Sequence, residues 1–112
     1  MAAKHAAQDR AKWAYDTVKS FRGGNEKETK SHIRKLPSHI QTSGLAQTLL
    51  FYGNKQKEIA NALRSHLALQ GNDIAAAVQD LVKDPARFRL KTREAMSAAQ
   101  WLKRFAEVML EG

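Results

Sequence analysis

The sequence contains no cysteine, only two prolines and few β-branched residues. Without cysteine there are no disulfides, no thiolate nucleophiles and no cysteine-ligated zinc or iron–sulfur clusters, which excludes thiol-based redox chemistry. The thirteen Val, Ile and Thr residues are outnumbered by eighteen Ala residues, a balance that favours helices over strands. The sequence therefore predicts an all-α protein.

Long hydrophobic runs are also missing. No stretch approaches the roughly 18 consecutive apolar residues of a membrane-spanning helix, and the N-terminus lacks the apolar segment of a signal peptide. We therefore expect a cytoplasmic protein that has no membrane partner. A chain of 112 residues with 43% hydrophobic content can form one modest core, so we expect residues 1–112 to be a single helical domain.

Positive charge is what the sequence has in excess. Nineteen Lys and Arg residues against eleven Asp and Glu residues give a net charge of +8. Residues 1–40 and residues 83–104 each carry +5, whereas residues 41–82 are neutral. Segregation into two blocks favours an anion-binding surface over scattered solubilising lysines, and nucleic acid is the commonest partner for such a surface.

Helix start and stop signals divide the chain into about six helical segments. Pro37 should end the second segment, because proline cannot donate to the helical hydrogen-bond ladder, and Asp84–Pro85 should begin the sixth. Gly44 lies inside the third segment and predicts either a break or a close approach by another backbone. We expect a compact bundle with a long C-terminal helix as its spine, with segments at about 3–21, 25–36, 38–52, 55–69, 72 or 73–82, and 85–110.

Catalytic or metal-binding patterns are weak. His32 and His39 are seven residues apart, with Pro37 expected to break the helix that would align them. Together with Lys35 they could act as general acid and base on an RNA phosphodiester. The aspartates lack the spacing of a two-metal site, and no GxxxxGK[ST] phosphate loop is present. We expect no catalytic residue, no metal and no cofactor, and keep a small basic ribonuclease using His32 or His39 as an alternative.

The basic residues have a more ordered pattern. Arg89 and Arg93 lie one turn apart in the predicted C-terminal helix. Because Trp101 and Phe105 have core spacing and no groove-entering motif is present, contact with the nucleic-acid backbone is favoured over base readout. A helical adaptor for an acidic protein is a further alternative. Six cations of the N-terminal block could line a second ridge: Lys12, Lys19, Arg22, Lys30, Arg34 and Lys35.

Two stretches resemble a known family. LPSHI at 36–40, followed by SGLAQTLLFY at 43–52, resembles the central signature of the small subunit of the type III-B CRISPR effector, the Cmr complex. Thr92, Glu94–Ala95 and WLKRFA at 101–106 are similar to the C-terminal helix of that family. The N-terminal helix is matched at Arg10, Ala11, Ala14, Tyr15 and Val18.

The resemblance implies a non-catalytic, all-helical subunit that stacks head to tail with further copies of itself in the inner filament of a ribonucleoprotein. Other Cmr subunits, the backbone and large subunits, hold the guide RNA and carry out cutting. Basic residues here would neutralise phosphates of target RNA paired to the guide, while base pairing supplies sequence. The RNA-binding residues predicted from the matching motifs are Lys35, Lys55, Arg93, Lys103 and Arg104.

The segment 43–52 allows two interpretations. The small residues Gly44 and Ala46 could permit a tight helix crossing inside the monomer, or the segment could form a contact surface for a neighbouring subunit. The need to bury Leu45, Leu49 and Phe51–Tyr52 favours the internal crossing.

Overall fold

The computed structural model describes the backbone of residues 2–112 and the side chains of residues 8–112. Within residues 2–112 every regular element is a helix, which confirms the all-α class. The final helix is long, as expected, and none of the helices in this range combines the length and apolar character needed to cross a bilayer. The five helices are α1 (Ala2–Ser20), α2 (Glu26–Lys55), α3 (Lys57–His66), α4 (Ile74–Leu81) and α5 (Pro85–Met109).

Three of the helices begin where capping residues predict. The Asn25 side chain accepts a hydrogen bond from the backbone N–H of Glu28 at the start of α2. Asp73 caps α4 in the same way, and Asp84 caps α5 with Pro85 in its first turn. These carboxylate and amide oxygens satisfy N–H groups that have no partner inside the helix. Local sequence therefore fixes these boundaries.

Pro37 does not end a helix, contrary to the prediction. Helical backbone continues through it, and the only non-helical backbone inside α2 is at Gly44, where φ is 85° and ψ is 161°. A proline inside a helix loses one ladder hydrogen bond. Leu36, Pro37 and Ile40 are all buried, and this apolar contact offsets that loss. The second and third predicted segments are therefore joined at Pro37 and divided at Gly44.

The two arms of α2 form a hairpin. The Tyr52 hydroxyl donates a 2.7 Å hydrogen bond to the carbonyl of His32, and the Gln56 amide donates one of 3.0 Å to the Glu28 carboxylate. In a straight helix these pairs would be about 30 Å and about 42 Å apart, given a rise of about 1.5 Å per residue. The second arm, residues 45–55, therefore runs back along the first arm, residues 26–43.

Glycine is required at the turn of this hairpin for its backbone conformation. A φ of 85° is strained for any residue with a side chain, and a Cβ built at Gly44 meets no atom within 4 Å. The predicted break is confirmed, but close approach of another backbone is not its cause. Leu45, Leu49 and Tyr52 are buried as the internal interpretation requires, but the burial expected of Phe51 is wrong, since Phe51 is 44% exposed.

Side chains beside the turn hold it in place. The fully buried Thr48 hydroxyl donates to the Gly44 carbonyl at 2.7 Å, and His39 Nδ1 lies 3.2 Å from the same hydroxyl oxygen. Because the single hydroxyl proton is already committed to Gly44, His39 Nδ1 must carry the proton that completes the second bond. The His39 ring also stacks on Phe51, with centroids 4.9 Å apart. His39 is thus a support for the hairpin turn.

The C-terminal helix is the spine of the core. Its buried stripe consists mainly of alanines with one large residue, Leu102, and this narrow face lets α2 and α1 pack closely against it. All five helices contribute to one hydrophobic cluster, which includes Val18, Ile33, Leu63 and Leu81. The opposite face of α5 consequently points to solvent along its whole length.

Candidate nucleic-acid interface

The outer face of α5 carries cations that have no carboxylate partner within residues 8–112. Arg93, Lys103 and Arg104 are exposed, and no carboxylate among the described side chains lies within 4.0 Å of them. Elsewhere on the helix, Arg87 pairs with an aspartate and Lys91 with a glutamate. The three predicted residues therefore keep their full charge available for an external anion.

Helix geometry sets the spacing of these cations. Arg93 and Arg104 are eleven residues apart, which is close to three turns at about 3.6 residues per turn, so they share one face about 16 Å apart. The buried stripe of Ala95, Leu102 and Ala106 lies on the opposite side. Lys103 is four residues before Glu107, which pairs with Arg34 of α2, so Lys103 lies on the flank that faces α2. The face is wide enough to follow a phosphate backbone rather than a single phosphate.

Arg104 is held in position by an aromatic row. Its guanidinium lies 5.9 Å from the Trp101 ring centroid, a cation–π arrangement. The Trp101 ring stacks on Phe105 at 6.0 Å, and Phe105 meets Tyr15 of α1 edge-on at 5.7 Å. Trp101 and Phe105 pack against the core, in agreement with the sequence interpretation. They orient the arginine and are not themselves presented as stacking platforms for bases.

Lys35 and Lys55 lie on the α2 hairpin. Lys35 is exposed on the first arm, the arm that also contacts α5 through the pair between Arg34 and Glu107. Lys55 is exposed at the end of the second arm, next to Gln56, whose bond to Glu28 places it near the start of α2. The structure thus places four of the predicted residues on α5 and the adjoining arm, and Lys55 at one end of the hairpin.

Half of the second ridge expected from the N-terminal block is already engaged within the protein. Lys12 pairs with an aspartate of its own helix at 3.1 Å, and Arg34 makes a two-bond contact with Glu107. Lys30 is only 8% exposed, and its ammonium donates to the carbonyls of Leu110 at 3.2 Å and Gly112 at 3.4 Å. The predicted ridge of six cations is therefore corrected to three that remain exposed, Lys19, Arg22 and Lys35.

Electrostatics tie the pair between Arg34 and Glu107 into the same surface. The hydrogen bond from Arg34 lowers the pKa of the Glu107 carboxyl below its usual range, and Glu107 in turn raises the pKa of Arg34. Lys30 and Lys103 lower the pKa of Glu107 further. Glu107 is thus a carboxylate set among cations, and it reduces the positive potential at the C-terminal part of α5.

Arg89 extends the cationic face beyond the predicted residues. It is exposed, one turn before Arg93, and both line a groove of about 580 Å³ beside the Gly44 turn. The floor of the groove is apolar and includes Leu45 and Phe88. The four-residue spacing of the two arginines was visible in the sequence, but the groove depends on the α2 hairpin.

The three histidines whose side chains are described, His32, His39 and His66, pack against aromatic rings. His66 stacks on Trp13 at 4.2 Å and accepts a hydrogen bond from Arg10 Nε at 3.2 Å. Pro37 was expected to break the helix between His32 and His39, and this prediction is wrong. The two histidines lie on one continuous arm of α2. The side chain of His5 lies outside the described residues. Among the side chains of residues 8–112, no group of three or more His, Cys, Asp or Glu residues could hold a metal ion.

Together these features define a class: small, basic, all-α proteins whose exposed cations follow one long helix. The chain belongs to the Cmr5 family, since the family model described as CRISPR-associated protein (Cas_Cmr5) matches residues 6–109. The family resemblance seen in the sequence is thereby confirmed.

Similar proteins support the same assignment over nearly the full chain. The Thermus thermophilus protein "CRISPR system Cmr subunit Cmr5" is 33% identical over 112 residues, covering 90% of this chain and 92% of that protein. The crystal structure of a CRISPR-associated Cmr5 family protein from the same organism has a TM-score of 0.79 at 28% identity. That similarity covers 95% of this chain and 98% of the other.

Proposed function

We propose that this protein is a non-catalytic subunit of a type III-B CRISPR RNA-guided, RNA-targeting Cmr complex that acts in antiviral defence. Family membership and the full-length similarity to a protein named as a Cmr subunit support the proposal. As a single helical domain it stacks with further copies of itself in the inner filament, in the cytoplasm and without a membrane partner. The backbone and large subunits are its other protein partners.

The observation that carries the RNA-contacting role is the set of exposed cations on α5. Arg93, Lys103 and Arg104 have no carboxylate within 4.0 Å among the described side chains, so binding a phosphate breaks no existing ion pair. Lys35 and Lys55 add charge from the α2 hairpin. These residues contact the phosphates of target RNA paired to the CRISPR guide, and base pairing supplies the sequence specificity.

The assembly is tested by affinity purification of the tagged protein from its native cells at low and moderate salt. Co-purifying proteins and small RNAs are then identified. We expect larger CRISPR-associated subunits together with repeat-derived guide RNAs. Recovery of the protein alone, or with unrelated RNA, contradicts the proposal.

A ribonuclease activity is the second candidate, and one observation favours it. The continuous first arm of α2 places His32 and His39 two turns apart on one face, with the exposed Lys35 between them in sequence. Against this, each imidazole packs against the ring of Tyr52, and His39 Nδ1 is bonded to Thr48. Incubation with labelled RNA in EDTA distinguishes the candidates, since metal-independent cleavage that is lost in His32→Gln or His39→Gln supports the nuclease.

An adaptor for an acidic protein would use the same exposed cations. The two functions differ in their ligand, so the assembled complex is tested for RNA binding over a range of salt concentrations. Absence of RNA binding at every salt concentration, combined with tight binding of an acidic protein partner, favours the adaptor. Salt-dependent RNA binding favours the subunit proposed above.

A further inference from the structure

A second pocket lies away from α5, where the end of α2, helix α3 and the start of α4 meet. Its volume is about 510 Å³, within the usual range for small-ligand sites. Two cations line it, Lys57 and Arg64, together with three amide side chains, Asn54, Asn61 and Asn72. None of these residues belongs to the cationic face of α5.

Helix α3 aims its polar residues into this pocket. Lys57, Asn61 and Arg64 have spacings of four and three residues and therefore share one face of the helix. The other face, with Ile59 and Leu63, is buried in the core, which fixes the rotation of α3. A cation, an amide and a second cation are thus presented in a row by a packed helix.

Arg64 is already oriented by the protein. Its Nη1 donates a 3.0 Å hydrogen bond to the carbonyl of Gly71, while its Nε is buried and has no partner among the described residues. Because Nε is closed off from solvent, a ligand in the pocket meets the outer nitrogens of the guanidinium, of which Nη2 makes no hydrogen bond within residues 8–112. Phosphate oxygens are acceptors that suit the planar guanidinium fork.

The remaining walls suit a nucleoside. Leu50 is 47% exposed and, with Ile74, supplies an apolar surface on which a base can pack. Amide side chains both donate and accept, as the edges of bases require. The one carboxylate in the lining, Asp73, already accepts the N–H of Ala76 at 2.8 Å to cap α4. The lining carries two positive charges and one negative charge, so its net charge is positive.

We propose that this pocket binds a ribonucleoside phosphate. Lys57 and Arg64 hold the phosphate, the base packs on Leu50, and the asparagine amides bond its edge. The nucleotide is either free in solution or one residue of an RNA strand, since both present the same groups. The proposal does not depend on the Cmr assignment and can be tested on the isolated full-length chain.

The first test is a titration of the ¹⁵N-labelled protein with adenosine 5′-monophosphate, followed by amide chemical shifts. Adenosine and inorganic phosphate are titrated separately. We expect the monophosphate to shift signals of Asn61, Asn72 and Ile74 and to bind at least about fivefold more tightly than either fragment. Binding of adenosine as tight as that of the monophosphate, or no shift up to about 10 mM, overturns the proposal.

Variants then test the pocket residues. Lys57 and Asn61 are exposed and make no side-chain hydrogen bond among the described residues, so Lys57→Gln and Asn61→Asp should leave the fold intact. We expect Lys57→Gln to weaken monophosphate binding about fivefold and Asn61→Asp about tenfold. Lys83→Gln removes the same charge from an exposed residue outside the pocket and should change binding less than about twofold. Equal weakening by Lys57→Gln and Lys83→Gln shows diffuse charge attraction and overturns the proposal.

A hexaadenylate distinguishes the two sources of the nucleotide. If it shifts the same signals and binds more tightly than the monophosphate, the ligand is part of a strand. If the monophosphate binds more tightly, the ligand is a free nucleotide. A hexaadenylate that shifts only signals of α5, with no monophosphate binding, contradicts the pocket while leaving the Cmr proposal standing.

Discussion

Residues 1–40 and residues 83–104 carry the same net charge of +5, but the structure uses the two blocks differently. In the first block Lys12 and Arg34 are in ion pairs and Lys30 bonds the carbonyls of Leu110 and Gly112. Its exposed cations without a carboxylate within 4.0 Å, counted over the described side chains, are spread over α1, the loop after it and α2: Lys19, Arg22, Lys27 and Lys35. In the second block Arg87 and Lys91 are in ion pairs, and five exposed cations have no carboxylate within 4.0 Å among the described side chains: Lys83 just before α5, and Arg89, Arg93, Lys103 and Arg104 along it.

The difference teaches that net charge alone does not locate an anion-binding surface. A cation that already has a carboxylate partner must give up that contact, or share it, before it binds a phosphate. A cation without one loses only hydration and side-chain freedom. The packing of α2 against α5 makes this distinction, because it brings Arg34 and Glu107 together across 73 residues of sequence.

The largest expected effect comes from removing the unpaired cations together. The triple variant Arg93→Ala, Lys103→Ala, Arg104→Ala should weaken target-RNA binding by the assembled complex about 10- to 100-fold. The slope of log affinity against log salt should become shallower by about 2, because three phosphate contacts are lost. Filter binding at several salt concentrations measures both quantities.

A matched triple variant tests whether pairing is the cause. Lys12→Ala, Arg34→Ala and Arg87→Ala also remove three positive charges, but each of these residues has a carboxylate partner. We expect a change in affinity of less than about threefold for the matched set. If both triples weaken binding equally, net charge decides and ion pairing does not distinguish the cations that bind RNA from those that do not.

Lys30 should matter for stability and not for RNA. Lys30→Ala leaves the carbonyls of Leu110 and Gly112 without their donor, and we expect the free energy of unfolding to fall by about 1–3 kcal/mol. Urea denaturation measures the loss. Lys35→Ala, on the exposed side of the same arm, should change stability by less than about 0.5 kcal/mol. A stable Lys30→Ala protein with impaired RNA binding would reverse the roles assigned to these two lysines.

Removing a carboxylate from the cationic surface should have a smaller effect of opposite sign. Glu107→Gln releases Arg34 and raises the positive potential near Lys103. We expect target RNA to bind about two- to threefold more tightly at low salt, with the gain disappearing as salt screens the charge. Unchanged or weaker binding at low salt would place this end of α5 outside the RNA path.

The smallest effect concerns pH. Burial, and then the charge of Arg10, lower the pKa of His66 below its usual value of 6.5, so the folded protein binds fewer protons there than the unfolded chain. The stabilisation is complete above pH 6.5 and is lost as the pH falls below it. Between about pH 7.5 and 5.5, the Tm of the wild type should drop about 2–3 °C more than that of His66→Phe. The phenylalanine keeps the stacking on Trp13 but cannot titrate, and equal drops in both proteins would exclude His66 as the cause.

Signals that act within a few residues were readable from the sequence. Asn25, Asp73 and Asp84 cap helices where predicted, because the cap and the N–H it satisfies are close neighbours along the chain. Gly44 also predicted a break correctly, because a positive φ depends on the residue at that position and not on distant contacts. Pro37 misled the prediction, since tertiary burial of its surroundings outweighs the local cost of a proline in a helix.

The candidate interface was readable only in part. The predicted cations Arg93, Lys103 and Arg104 are exposed on α5 as helical spacing and the family motif indicate. The pairing of Arg34 and the burial of Lys30 were not foreseen, because their partners are 73 and 80 residues away in the sequence. The role of all these residues in RNA binding stays a prediction.

By itself, the sequence determined the helical class, the helix caps, the excess of positive charge and the family. These follow from backbone propensity, from short-range hydrogen bonding and from motifs of contiguous residues. Only the tertiary structure decided that α2 folds back on itself at Gly44, which cations keep their charge for an external anion, and where α3 and α4 leave a pocket. These depend on contacts between distant segments, which form when helices bury their apolar faces against one another.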